Sequence, residues 1–509
     1  MKIKYALCKN SVFFKFLLCG VYFTCPTYSI LAQENDVKPI SIILSVEADH
    51  SIPVNLKKYG VNGALLWSNY NYGDNELATL YEQIGISFSR FPGGTIGNFY
   101  NWKTGRFSCY KKTNALFEKR ISGFNRRLNK TNTRYSINDF VSFIKKTGGD
   151  FTYVVNTMCE TPKTNAALFK FMKASNVMLS HIEMSNEVYS SGYDWAFEGV
   201  ESYLKSVEVN YLSIKDYYPD VKVGLVISPI SFNSKQYPEK NGMLNNAWPK
   251  RLKLFDAAIA KSMHGDALII HLYGNPYKNK IDFFGPETNK EHYLAVMGQF
   301  NKKFGISIEY LKLLGNNKPI WVTEWGVTTS AEKRHKKFKK YKKSNYQALF
   351  MASVLTSISL EKSIEIANYH ILSDMWNVTE RGVELSPIGK VLEFFLDVAN
   401  KADNIYKVNI SPSVVQNNKM AIKQDSGIKS LLFVSKAESY LFLINEQDRS
   451  YLIDTIKTEN SIYSSYSVDE MFIKKNVFLN ARVENKSLGV DRKLLYEIKP
   501  FSISRIKLQ

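Results

Sequence analysis

Eight short runs rich in β-branched and aromatic residues, each followed by a stretch of helical period, fill residues 58–402. The runs are Gly60–Leu65, Ile86–Arg90, Phe151–Asn156, Ser180–Ser185, Val221–Ser228, Ala267–Tyr273, Pro319–Thr323 and Ile364–Ile371. The helical stretches are Glu76–Ile84, Ile137–Lys146, Asn165–Ala174, Val200–Tyr217, Trp248–Met263, Leu294–Leu314, Tyr346–Leu360 and Pro387–Val398. Such alternation belongs to βα units around a parallel sheet. Eight units fit an α/β fold of the (β/α)8 TIM barrel type, whose reactive face is formed by the C-terminal ends of the strands. An open doubly wound sheet is the competing reading of the same alternation.

From residue 403 onward the helical period disappears. Ser430–Val434, Ser439–Ile444, Tyr451–Thr455, Val477–Val483 and Phe501–Leu508 are strand-like and separated by Asn, Asp, Ser and Gly. They describe an appended C-terminal all-β domain, expected to be a sandwich. Within the segment 33–57, the run Pro39–Val46 precedes the first barrel strand and is expected to add a strand to that sandwich.

The first 32 residues stand apart. Lys2 and Lys4 precede an apolar stretch ending at Phe23, followed by Pro26 and small residues, the pattern of a cleaved secretory signal peptide. The apolar stretch is well short of the roughly 20 residues needed to span a membrane, so a secreted or periplasmic protein without stable membrane insertion is expected. Cleavage after Ser29 or Ala32 would leave Cys109 and Cys159, either as one disulfide or as two thiols. With 45% hydrophobic residues over 509 positions, the chain can bury a large core.

Three strand ends carry chemistry. The fourth ends in Ser185-Asn186-Glu187, the seventh in Thr323-Glu324-Trp325-Gly326, and the second in Arg90-Phe91-Pro92-Gly93-Gly94-Thr95. Carboxylates on strands four and seven would face each other across the barrel mouth. Two carboxyl groups about 5 Å apart are what retaining glycoside hydrolysis requires, one as nucleophile and one as acid/base. Arg90 would put a permanent cation on the same face.

Read together, these motifs resemble clan-A retaining glycoside hydrolases, in particular the α-L-arabinofuranosidase and heparanase-like families, over essentially the whole mature chain. The resemblance implies that Glu187 is the acid/base, Glu324 the nucleophile and Asn186 a donor to the sugar 2-hydroxyl. It implies that Arg90 keeps the nucleophile ionised and that His271-Leu272-Tyr273 brings a phenol to it. Asn156 matches the third strand of the arabinofuranosidases, while Thr95 and Trp325 join the substrate-binding set. Neither a cofactor nor a metal is implied. The chain departs from arabinofuranosidases at Thr95, where they carry Asn, at Val61-Asn62-Gly63, where they carry a Glu, and at Thr323-Glu324-Trp325-Gly326.

The formal net charge is +20, and the leader removes Lys2, Lys4, Lys9 and Lys15 but no acid, leaving +16. Residues 103–134 hold ten Lys/Arg against Glu118, and residues 333–343 hold eight. Both segments follow barrel strands. They read either as solvated loops or as the edge of an electropositive cleft for an anionic, uronic or sulfated glycan. No nucleic-acid motif accompanies the charge, so a nucleic-acid partner is not expected. A carbohydrate partner is, with oligomeric state left open. The competing functions are an α-L-arabinofuranosidase acting on neutral glycans, and a non-catalytic carbohydrate-binding protein or basic adhesin on the same scaffold.

Overall fold

The computed structural model describes residues 39–508, apart from 69, 132–134, 229–249, 276–287, 328–339, 381, 414–426, 458–464, 475–476 and 488–492. Residues 1–32, expected to be a signal peptide, and most of the basic run 333–343 lie outside the described residues.

Eight parallel strands close into a barrel: β2 (Gly60–Asn62), β3 (Phe88–Phe91), β6 (Asp150–Val155), β7 (His181–Met184), β8 (Lys222–Val226), β9 (Ala267–Gly274), β10 (Ile320–Val327) and β11 (Ile364–Tyr369). Each expected run supplies one of them, and the closed order excludes the open doubly wound sheet. The surrounding helices are α1 (Asn75–Ile84), α4 (Ile137–Thr147), α5 (Pro162–Ala174), α6 (Val200–Tyr217), α7 (Lys250–Lys261), α8 (Asn289–Leu314), α9 (Asn345–Leu360) and α10 (Pro387–Ala399). Their starts follow local chemistry. The Thr161 side chain accepts from Thr164 N ahead of Pro162, and Thr288 and Glu291 form a capping box at α8.

Below the mouth the barrel is filled, not hollow. Trp321 is fully buried among Phe88, Val226, Ala267, Ile269 and Ile366, over Gly224, where any Cβ would collide with the indole. Its Nε1 donates to Glu365 Oε2 at 2.9 Å, which satisfies the indole at the opposite end of the barrel from the reactive face. This plug confines chemistry to the C-terminal ends of the strands.

The all-β domain contains β14 (Asn404–Pro412), β15 (Ile428–Val434), β16 (Ser439–Asn445), β17 (Tyr451–Lys457), β18 (Ser465–Lys474), β19 (Val477–Ser487), β20 (Lys493–Ile498) and β21 (Ser502–Leu508). β1 (Ile40–Pro53) joins it between β14 and β17, so the first and last described strands lie in the same domain. The strands hydrogen-bond as one nine-stranded sheet. Leu44, Leu443, Ile453, Val468 and Ile498, from its middle and both wings, share one core, so a single curled sheet provides the two-layer burial expected of a sandwich. α9 is apolar on all sides and almost wholly buried, because it is wedged between barrel and sheet. Phe395 of α10 meets Phe433 at 5.3 Å and Phe442 at 5.4 Å, carrying the barrel core into the sheet. Among the described residues, no helix is long and apolar enough to cross a membrane.

The basic segment after β3 is not a solvated loop. It forms the hairpin β4 (Tyr100–Asn101) and β5 (Arg106–Phe107), then the helix α3 (Ala115–Thr131), inserted before α4. Apolar residues spaced along α3 explain this: Phe117 and Leu128 are buried while Lys119, Arg120, Arg126 and Lys130 face solvent. Cys109 and Cys159 form a disulfide that ties this insertion to the loop after β6. Titration of the purified mature protein should therefore find neither thiol free, and the Cys109→Ala/Cys159→Ala variant should be about 2–4 kcal/mol less stable by urea unfolding.

Candidate active site

Arg90, on β3, sits wholly buried at the barrel mouth. Its Nε and Nη2 donate to the two oxygens of Glu183 at 2.8 and 2.6 Å, its Nη1 to Glu324 Oε1 at 2.6 Å, and Nη2 also to Asn186 Oδ1 at 2.8 Å. A guanidinium without water is costly unless its donors are matched, and here charged and polar acceptors from β7, the following turn and β10 match them. Arg90 thus both carries the buried ion pairs and holds the nucleophile candidate.

Glu324 lies in the second half of β10 and is buried. Tyr273 OH, from β9, donates to its Oε2. His370, just beyond β11, has Nδ1 at 2.6 Å from the Tyr273 hydroxyl and 3.4 Å from Glu324 Oε2. Asn62 Nδ2 of β2 is 3.4 Å from Glu324 Oε1. Burial by itself would push the Glu324 carboxyl up, but the charges of His271 and Arg90 and the bond from His370 hold it well below the usual carboxylate range. The Gly93-Gly94 turn makes room for it. Gly93 has φ +118, and a Cβ on Gly94 would collide with Glu324 Oε1.

Glu187 is presented differently. Ser185 and Glu187 both adopt left-handed backbone, φ +62 and +51, so the chain turns sharply off β7. The turn is clamped: Asn186 N donates to Asn98 Oδ1 at 2.7 Å, Asn98 Nδ2 donates to Asn186 O at 2.8 Å, and the Ser185 and Thr157 hydroxyls bond at 2.6 Å. The Glu187 side chain remains one-third exposed and faces the cleft. His271 joins the two carboxylates, with Nδ1 3.0 Å from Glu187 Oε1 and 3.7 Å from Glu324 Oε2, while Nε2 is 3.1 Å from Thr323 Oγ1. Burial disfavours the imidazolium, yet Glu324 and Glu187 push its pKa above the ordinary value.

One oxygen of Glu187, one of Glu324 and a His271 nitrogen lie within 4.8 Å of one another. Among the described residues these three are the only cluster with the makings of a metal ligand set. Arg90 already occupies Glu324 Oε1, so a divalent ion there would face a fixed guanidinium. The two carboxylates thus open onto one space at the barrel mouth, with the imidazole between them.

Most of the residues singled out in the sequence meet here; Trp325 and Asn156 do not. Trp325 is 1% exposed, edge-on to Tyr369 at 5.1 Å, so it packs the barrel and has no face for a sugar. Asn156 spends both ends of its amide on the loop, donating to Tyr100 O at 3.1 Å and accepting from Cys159 N at 2.8 Å. His271 does join the site, buried and in contact with both carboxylates. Thr95 opens the short helix α2 (Gly94–Gly97), half-exposed near Tyr193, and it is Asn98 that clamps Asn186. With its Oδ1 held by Arg90, Asn186 has only Nδ2 left to offer, which suits a donor to a sugar hydroxyl. Glu183, Asn62, Asn98 and His370 are the site residues that the sequence did not single out.

No protein-family model and no curated protein matches this sequence. Solved structures do share its fold. The GH51 arabinofuranosidase of Xanthomonas axonopodis pv. citri superposes with a TM-score of 0.67 at 13% identity, over 92% of this chain and 100% of its own. The α-L-arabinofuranosidase of Thermotoga maritima, solved with arabinose, gives 0.64 at 13% identity, over 92% and 99%. A glycoside hydrolase family 44 xyloglucanase of Paenibacillus polymyxa gives 0.60 at 11%, over 92% and 100%. At such identities the likeness is one of fold: a (β/α)8 barrel with an all-β domain, the architecture of these clan-A glycoside hydrolases.

Proposed function

We propose that the protein is an exported retaining glycoside hydrolase. The observation that carries this reading is the convergence of Glu187 and Glu324 within 4.8 Å at the barrel mouth, one anchored by Arg90 and Tyr273, the other one-third exposed. Glu324, kept ionised, attacks the anomeric carbon as Glu187 protonates the departing oxygen. The glycosyl ester so formed on Glu324 is then cleaved by a water that Glu187 deprotonates, regenerating both groups with retained configuration. Asn186 Nδ2 donates to the sugar hydroxyl beside the reacting carbon. The disulfide supports an oxidising compartment, in keeping with the leader, and the exposed cations of α3 support an anionic glycan as substrate. The second reading, an α-L-arabinofuranosidase on neutral glycans, is favoured by the Arg90-Phe91-Pro92-Gly93-Gly94 turn and by the structural neighbours. Asn62 and Thr95, which replace the arabinofuranosidase Glu and Asn, speak against it.

A panel of aryl glycosides tests the reaction. Glu324→Gln should abolish turnover, and unaltered hydrolysis would refute the assignment. Glu187→Gln should lower kcat about 10²–10⁴-fold on poor leaving groups, with azide restoring rate on activated ones as a glycosyl azide of retained configuration. The pH profile follows from Glu324. Because its folded-state pKa is lowered, it stays ionised as pH falls through the ordinary carboxylate range, so the acid limb of kcat/KM should lie below about pH 4.3. His370→Ala removes one of the interactions that lower it, and should move that limb to higher pH.

A further inference from the structure

The charge on α3 has one member placed unlike the others. The chain a few residues after Glu187 carries Tyr193 and Trp195. Tyr193 stacks on Phe117 of α3 with ring centroids 4.9 Å apart, and Phe117 meets Trp195 at 5.8 Å. Arg120, three residues further along α3, lies over the Phe117 ring at 5.1 Å. Its side chain is exposed and makes neither a hydrogen bond nor an ion pair with any described residue. Burial pushes the Tyr193 phenol up to about 12; Glu187 adds to that rise and Arg120 opposes it, so both charges act on one hydroxyl. Trp195, half-buried, keeps its indole N–H without a partner among the described residues. An unpaired guanidinium lying over an aromatic wall near the acid/base candidate matches a sugar ring that carries an anionic substituent.

We propose that Arg120 is a specificity residue that binds a carboxylate or sulfate on the sugar leaving past Glu187, making uronic or sulfated glycans the preferred polymers. The direction of departure rests on the glycosidase reading; the anion site itself does not.

The mature protein is titrated with oligogalacturonate, a sulfated dextran oligosaccharide and neutral dextran oligosaccharide, by tryptophan fluorescence and as competitors of aryl-glycoside hydrolysis. At least one anionic oligosaccharide should bind and compete while the neutral one does not, and the better of the two identifies carboxylate or sulfate. Arg120→Gln should weaken that binding about tenfold, the size of a lost charge-assisted hydrogen bond. Arg120→Lys should recover part of it, and kcat/KM on a small neutral aryl glycoside should not change. Unchanged binding in Arg120→Gln overturns the proposal. So does an equal loss in Lys130→Gln, an exposed cation on the same helix, which would make the effect diffuse electrostatics. Arg120-dependent binding by a protein that hydrolyses no glycoside keeps the anion site and removes the glycosidase reading.

Discussion

The buried guanidinium of Arg90 is the constraint on which the site depends. A cation removed from water must find acceptors on all sides, and it finds them on two carboxylates and an amide from separate strands. One guanidinium against Glu183 and Glu324 leaves a surplus negative charge. His271, its pKa pushed up by the neighbouring acids against its burial, lies between Glu324 and Glu187 and offsets part of that charge. The two reactive carboxylates are therefore unequal by construction. Glu324 is ringed by donors that hold its carboxyl well below the usual range, whereas Glu187 meets the His271 imidazole and the Tyr189 phenol and keeps an open side toward the cleft.

The rest of the molecule keeps that arrangement in register. Trp321 closes the barrel below, so the strand ends cannot collapse inward. Asn98 and the Ser185–Thr157 hydroxyl pair hold a left-handed turn that would otherwise relax. The curled sheet and α9 share an apolar core with the barrel, which binds the two domains through burial instead of a linker. The disulfide ties the α3 insertion, whose Phe117 packs on Tyr193, to the loop after β6.

Much of this was legible in the sequence, for identifiable reasons. Barrel strands are short apolar runs, and a charged side chain at the end of such a run is conspicuous, which is how Glu187, Glu324 and Arg90 stand out. Residues whose role depends on which strand lies alongside are not visible that way. Glu183 reads as one acid in an alternating strand, and only the barrel places it against Arg90; His370 gains its role because β11 lies beside β10. Trp325 misleads in the opposite sense. Aromatic residues beside a nucleophile suggest sugar stacking, but strand alternation sends the side chain after an inward-facing Glu324 to the outside of the barrel, into the helix layer. The α3 insertion was hidden by its charge, which dominates the two apolar residues that seat it.

The central claim is that Glu324 forms a covalent bond to the sugar while Glu187 manages the proton. Its most direct test is to incubate the mature protein with a 2-deoxy-2-fluoro aryl glycoside of the sugar it cleaves, and to map the label by peptide mass spectrometry. The account predicts one fluoroglycosyl adduct per chain, on the peptide containing Glu324, absent from Glu324→Gln and slow to turn over. Hydrolysis of the unmodified glycoside with inversion at the anomeric carbon and no adduct, or an adduct on Glu187, would contradict it.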